Sequence, residues 1–124
     1  MMADALPLIA VVDDEKPVRT MLRRALRLAD YDVEEFASGE DFLRSLADRV
    51  PAVAVLDVHM PGMSGFDVEA KLRAARHRLP LVFITASDDA ALERDAMAAG
   101  AVCLLRKPFG TEDLLAAVRH ALAA

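Results

Sequence analysis

The chain has 124 residues, of which 55% are hydrophobic and 28% charged, and carries a formal net charge of −5. That length fits one domain over residues 1–124, able to bury a core without disulfides or a structural metal, and the composition excludes a disordered chain. The acidic balance counts against a domain built to grip nucleic acid. No apolar run approaches the roughly 20 residues that span a bilayer, so a membrane is not an expected partner. The start of the chain lacks the basic, apolar and small-residue pattern of a signal peptide, and the cytoplasm is the expected compartment.

In chain order, Leu8–Val12 is apolar throughout and reads as a strand covered on both faces. Pro17 opens a helix whose inner face is expected to use Val18, Met21, Leu22, Ala25, Leu28 and Ala29. Arg19, Arg23 and Arg27 recur at four-residue spacing and share another face, either solvated or a docking stripe. Asp32–Phe36 alternates, with Val33 on one side and Glu34 on the other, as an edge strand does. Ser38 is the expected cap of a helix carrying Phe42, Leu43 and Leu46, with Asp41 at capping-box spacing. Ala52–Leu56 is a second covered strand, and Ser64 with Asp67 repeats the cap spacing before a helix using Val68, Leu72 and Ala75. A loop at His77-Arg78-Leu79-Pro80 leads into the strand Leu81–Ile84. Ser87 is expected to cap a fourth helix that ends near Gly100. Val102–Leu105 reads as the last covered strand and holds the single cysteine, Cys103, as an inert buried thiol. Thr111 is expected to cap a fifth helix packed through Leu114, Leu115, Val118 and Leu122.

Five strand-then-helix repeats predict a doubly wound α/β fold, (βα)5 and flavodoxin-like. In it, helices cover both faces of a parallel five-stranded sheet in a three-layer sandwich. A closed barrel would need about eight units and roughly 250 residues. Ligands of such open sheets sit at the carboxyl ends of the strands, beside the topological switch point. The strands run into Asp13-Asp14, Asp57, Thr85 and Arg106-Lys107. With the order 2-1-3-4-5, Asp13, Asp14 and Asp57 converge at the switch point, with Thr85 and Lys107 beyond them.

Three carboxylates in one pocket repel, each pair costing on the order of 4 kcal/mol at about 4 Å and an effective dielectric near 20. Lys107 offsets part of this, and a divalent cation would offset more. An all-oxygen, carboxylate-rich donor set selects a hard ion, and Mg2+ is the usual one beside a phosphoryl group. A carboxylate held near such an ion, a hydroxyl and an ammonium is equipped to attack phosphorus.

The segments Ile9–Asp14 (IAVVDD), Val55–Gly65 (VLDVHMPGMSG), Ile84–Ala86 (ITA) and Lys107–Phe109 (KPF) resemble, in order and spacing, the receiver domains of two-component response regulators. These form the CheY-like superfamily. The resemblance implies that Asp57 is the phosphoacceptor and that Asp13 and Asp14 bind Mg2+, with Asp57 and the His59 backbone carbonyl completing the ligands. It implies that Thr85 moves to hydrogen-bond the phosphoryl oxygen, that Lys107 pairs with it, and that the Lys107–Pro108 bond is often cis. The implied donor is a sensor histidine kinase or a histidine phosphotransfer protein, which docks on the first helix, where the arginine stripe lies. The implied target is an output domain or partner protein. Such a domain helps catalyse its own phosphorylation and dephosphorylation but is not an enzyme with a separate substrate.

Leu104 departs from the family, standing where many receivers carry a ring that swings inward on activation. His59, two residues after the acceptor, is either a tuner of dephosphorylation or metal access, or a plain loop residue. Two rival readings stay open. An aspartate-nucleophile phosphatase would want a carboxylate at the His59 position, and a protein-binding pseudo-receiver would usually have lost part of the acidic set. A nucleotide fold is disfavoured, because Asp13-Asp14-Glu15-Lys16 stands where its glycine-rich loop would be. The end after the fifth helix suits a stand-alone receiver and a piece of a longer regulator alike.

Overall fold

The computed structural model describes residues 5–124. Five strands, β1 (Leu8–Val12), β2 (Asp32–Phe36), β3 (Val53–Asp57), β4 (Leu81–Thr85) and β5 (Cys103–Arg106), alternate with five helices. The helices are α1 (Lys16–Leu28), α2 (Gly39–Ser45), α3 (Gly65–Ala74), α4 (Ala91–Ala98) and α5 (Thr111–Ala123). All strand pairs are parallel, as expected from the alternation, and the sheet has the order expected for this fold class, β2-β1-β3-β4-β5.

Strand periodicity divides the core in two. Ala10, Val12, Ala54, Leu56 and Phe83 face Phe42, Val68, Leu72, Leu92 and Ala96, which places α2, α3 and α4 on one side. Ile9, Val11, Val53, Val55, Val82 and Ile84 face Leu22, Leu26, Leu114 and Val118 of α1 and α5 on the other. The three inner strands are buried along their whole length, which is why they read as unbroken apolar runs.

Four local expectations need correction. β5 is an edge strand with all four residues half-buried, so the run Val102–Leu105 is not covered on both faces. Cys103 is accordingly half-buried, though burial still pushes its thiol up. The inner face of α1 is Leu22 and Leu26, flanked by Val18 and Ala25, whereas Met21 and Leu28 are exposed. Ser87 does not cap α4. Its hydroxyl accepts from the Asp89 N–H at 3.1 Å, and Asp89 Oδ1 in turn receives the Ala91 N–H at 2.9 Å, two residues further on. Thr111 lies inside α5, whose N-cap is Gly110; Glu112 and Asp113 in the first turn complement the positive helix end.

The other two caps form. Ser64 and Asp67 make a reciprocal capping box at the start of α3, with bonds of 3.0 and 3.1 Å. Ser38 accepts from the Asp41 N–H at 3.1 Å, while the Asp41 carboxylate turns to Arg44 instead of closing a box. Gly100, just after α4, takes φ +83°, the left-handed turn expected of a glycine at a helix end.

Candidate functional site

The topology brings the polar strand ends to one edge. Asp57 closes β3, pairs in register with Ile84 and is 3% exposed. Asp13 follows β1 with no exposure, and Asp14 beside it is exposed. One carboxylate oxygen from each of Asp13, Asp14 and Asp57 falls within a 4.8 Å cluster, the group among the described residues with metal-ligating character. β1 and β3 are neighbours while β2 lies outside β1, so the cluster occupies the switch point.

Lys107 enters from the loop after β5. Its Nζ lies 2.9 Å from Asp13 Oδ2, 3.4 Å from Glu15 Oε1 and 3.6 Å from Asp57 Oδ2. Its backbone is fixed by a 2.7 Å bond from Lys107 N–H to the Thr85 carbonyl, and the Lys107–Pro108 peptide bond is cis. Burial works against the ammonium's charge, but the hydrogen bond to Asp13 and the charges of Asp57 and Asp13 outweigh it and hold its pKa above the ordinary value. The Asp57 pKa is raised too, which in a carboxyl disfavours the charged form. Burial first, then the negative charge of Asp13, raise its carboxyl to about 6, against the pull of Lys107 and of the His59 backbone N–H. The pocket therefore holds more negative charge than Lys107 neutralises.

The donor chemistry fits a hard divalent cation. Clustered carboxylate oxygens with a short supply of positive charge are the environment Mg2+ favours.

Several positioning contacts were not visible in the sequence. Asp13 is held at three atoms: its N–H donates to the Phe36 carbonyl at 3.1 Å, its Oδ1 accepts from the Glu15 N–H at 2.8 Å, and its carbonyl accepts from Arg19 at 2.7 Å. Arg19 and Arg23 also pair with Glu35 on β2, so two of the three arginines in the stripe are engaged within the domain. Gly65 opens α3 against the end of β3. Its N–H donates to the Val58 carbonyl at 2.9 Å, and a Cβ there would lie 2.5 Å from the Asp57 carbonyl oxygen. The glycine in the MSG motif is the signal that could have located this contact.

Thr85 is buried at the end of β4, and its hydroxyl accepts from the Ser87 N–H at 3.1 Å. Leu104 is half-buried and packs on the α4 side of the core. The His59 residue is exposed beside Asp57. Thus Asp13, Asp14, Asp57 and Lys107 form one cluster, while Thr85 is bonded to its own loop.

Comparison with known proteins identifies the family. Residues 9–119 match the family model of the response regulator receiver domain. The chain is 36% identical over 121 residues to the response regulator protein TodT of Pseudomonas putida F1, covering 98% of this chain and 53% of that protein. It is 40% identical over 114 residues to the response regulator MprA of Mycobacterium sp. strain KMS, covering 92% and 50% respectively. It thus spans about half the length of the curated relatives it matches. The crystal structure of FixJ-N superposes with a TM-score of 0.87 at 34% identity, over 98% of this chain and 96% of that one. The chain belongs to the response regulator receiver domain family.

Proposed function

We propose that this domain is the phosphoacceptor of a two-component phosphorelay and that Asp57 is the residue modified. The observation that carries this is the carboxylate of Asp57 at a buried strand end, 3.6 Å from the Lys107 ammonium and clustered with Asp13 and Asp14. An Asp57 oxygen attacks the phosphorus of a phosphohistidine on a sensor kinase or phosphotransfer protein. The P–N bond breaks, and the imidazole leaves with its electron pair. Lys107 neutralises charge on the transferred oxygens, and the Thr85 hydroxyl turns to donate to one of them. Phosphoryl transfer of this kind depends mainly on position and charge neutralisation.

Asp13, Asp14, Asp57 and the His59 carbonyl would hold Mg2+, which when bound supplies positive charge to the transferring phosphoryl group. Water later hydrolyses the acyl phosphate, returning the carboxylate and inorganic phosphate. The added charge biases a two-state rearrangement of β4, α4 and β5 that an output domain or partner protein reads.

The donor protein docks, in this reading, on the groove between α1 and α5. Lys16, Met21, Arg24, Ala25, Leu28 and Leu115 line it, so apolar contact area is rimmed by positive charge. This replaces the arginine stripe as the docking surface, because Arg19 and Arg23 are committed to Glu35. The domain works in the cytoplasm; none of its helices among the described residues is long and apolar enough to cross a membrane.

The test is incubation with acetyl phosphate and Mg2+, followed by intact-mass measurement. Wild type should gain one phosphoryl adduct and Asp57→Asn none. An unmodified wild type, or an equally modified variant, would refute the assignment. Steady release of phosphate from a small phosphate ester would point instead to an aspartate-nucleophile phosphatase.

A further inference from the structure

The Thr85 hydroxyl oxygen is held in place by the Ser87 N–H it accepts, so its proton is free to donate but moving the oxygen toward a phosphoryl group on Asp57 breaks that bond. That bond begins a short ladder in the loop between β4 and α4: Asp89 N–H to Ser87 Oγ, then Ala91 N–H to Asp89 Oδ1. Each of these bonds spans only two residues, and the first starts from Thr85 at the end of β4. The side chain that ties the loop to the neighbouring strand is Arg106. This residue ends β5 directly opposite Thr85 in the strand register. One guanidinium nitrogen donates to the Ser87 carbonyl at 2.6 Å and the other to the Asp89 carbonyl at 3.1 Å.

The geometry is that of a fork. A planar guanidinium presents parallel donors to two acceptors, and its bonds are charge-assisted and stronger than neutral ones. Both acceptors belong to residues of the ladder, and one of them, Ser87, is the residue whose N–H occupies Thr85. Turning the Thr85 hydroxyl toward Asp57 strips the Ser87 N–H of its acceptor. The loop must shift to give that N–H another partner, and the fork opposes the shift. Neighbouring residues at the end of β5 thus act in different places: Lys107, just after the strand, reaches Asp13, and Arg106, its last residue, holds the loop.

We propose that Arg106 is a positioning residue for Thr85. By fastening the carbonyls of Ser87 and Asp89, it holds the loop in the arrangement that engages the Thr85 hydroxyl, and so opposes the phosphorylated state. The proposal rests on the assignment of Asp57 as phosphoacceptor. In a chain whose β5 carries Leu104 in place of a moving ring, it provides a polar restraint on the same loop.

The test uses the full chain, with Arg106→Met keeping the apolar stem and Arg106→Lys keeping the charge without the fork. Amide hydrogen exchange of residues 86–91, measured without phosphoryl donor, should rise about tenfold in the Met variant and less in the Lys variant. Exchange in β1 and β3 should match wild type, which shows that the fold is intact. Beryllofluoride with Mg2+, the phosphoryl probe, should bind the Met variant about three- to tenfold more tightly, with the Lys variant in between. Unchanged loop exchange overturns the proposal, and so does faster exchange with equal or weaker beryllofluoride binding. A wild type that takes up neither acetyl phosphate nor beryllofluoride overturns the Asp57 assignment and this proposal together. A normal wild type with an inert Arg106→Met overturns the proposal alone.

Discussion

The Lys107 ammonium is hydrogen-bonded to Asp13, at 2.9 Å, and stands off from Asp57 at 3.6 Å. In the unphosphorylated chain it therefore neutralises the carboxylate that has no solvent exposure at all. Charge added at Asp57 would compete with Asp13 for the same ammonium. The pocket is balanced between two carboxylates sharing one cation, and a small change in charge can redistribute it.

Removing that cation should be costly. Lys107→Met leaves Asp13 buried without its charged partner, and breaking a buried pair in this way typically costs about 3–5 kcal/mol. The Lys107 side chain keeps 14% exposure, so a loss near 3 kcal/mol is expected in urea unfolding at pH 7.5 without metal. Added Mg2+ should recover part of the loss, because it supplies charge to the same carboxylates. Phosphorylation by acetyl phosphate should fall steeply in the same variant.

Asp57 makes the stability depend on pH. Its carboxyl titrates at about 6 in the fold against 3.8 unexposed to these influences, so the folded state holds the proton more tightly. The associated stabilisation is complete below about pH 4 and is lost as pH rises through 6. The gap of roughly two units corresponds to on the order of 3 kcal/mol. Without metal at pH 7.5, Asp57→Asn should accordingly be about 2–3 kcal/mol more stable than wild type, and the gain should vanish by pH 4. Chemical denaturation of the two proteins across that range measures the difference directly. Equal stabilities at pH 7.5 would show that Asp57 carries no such burden.

The parts of this architecture that sequence made legible share a simple cause. Strands buried on both faces leave unbroken apolar runs, and the polar residues that end them, Asp57 and Thr85 among them, stand out by contrast. The same logic misled at β5, because Val102–Leu105 is as apolar as a central strand although it lies at the edge, half-buried. The Ser64 and Asp67 box was readable because both partners sit at fixed spacing, whereas the α4 start depends on where the loop turns: its N-cap is Ala90, and Ser87 bonds Asp89 within the loop instead. Contacts from a long side chain to a distant carbonyl have no period. Arg19 on Asp13 and Arg106 on Ser87 could be found only once the strands were side by side.

Gly65 should be intolerant of even one methyl group. A Cβ at this position meets backbone, 2.5 Å from the Asp57 carbonyl oxygen and 3.1 Å from Val58 Cα, so no flexible side chain can yield. Gly65→Ala must push α3 and the end of β3 apart, with a cost of about 1–3 kcal/mol typical of overpacking. Because the displaced segment carries Asp57, acetyl phosphate labelling should slow tenfold or more, as misplacement of a reacting group by about 1 Å can cost far more than that. A variant that is destabilised yet labelled at the wild-type rate would separate the packing role from the positioning one.

The α1–α5 groove makes the last prediction, since it distinguishes docking from chemistry. Leu28 is 87% exposed and Met21 39%, although both lie on the helix that carries the inward-facing Leu22 and Leu26. Neither contributes to the core, so replacing Leu28 should leave stability within about 0.5 kcal/mol of wild type. Leu28→Asp places a carboxylate in an apolar groove flanked by Lys16 and Arg24, and a partner seated there would have to bury it. Loss of the apolar contact and burial of the added charge in an interface are expected to slow transfer from a phosphorylated histidine phosphotransfer protein about tenfold. Acetyl phosphate needs no docking surface, and its rate should stay within about twofold of wild type, since the substitution lies outside the acidic cluster. Rates that fall together would locate the defect in the pocket. Two unchanged rates would remove the groove from the docking surface.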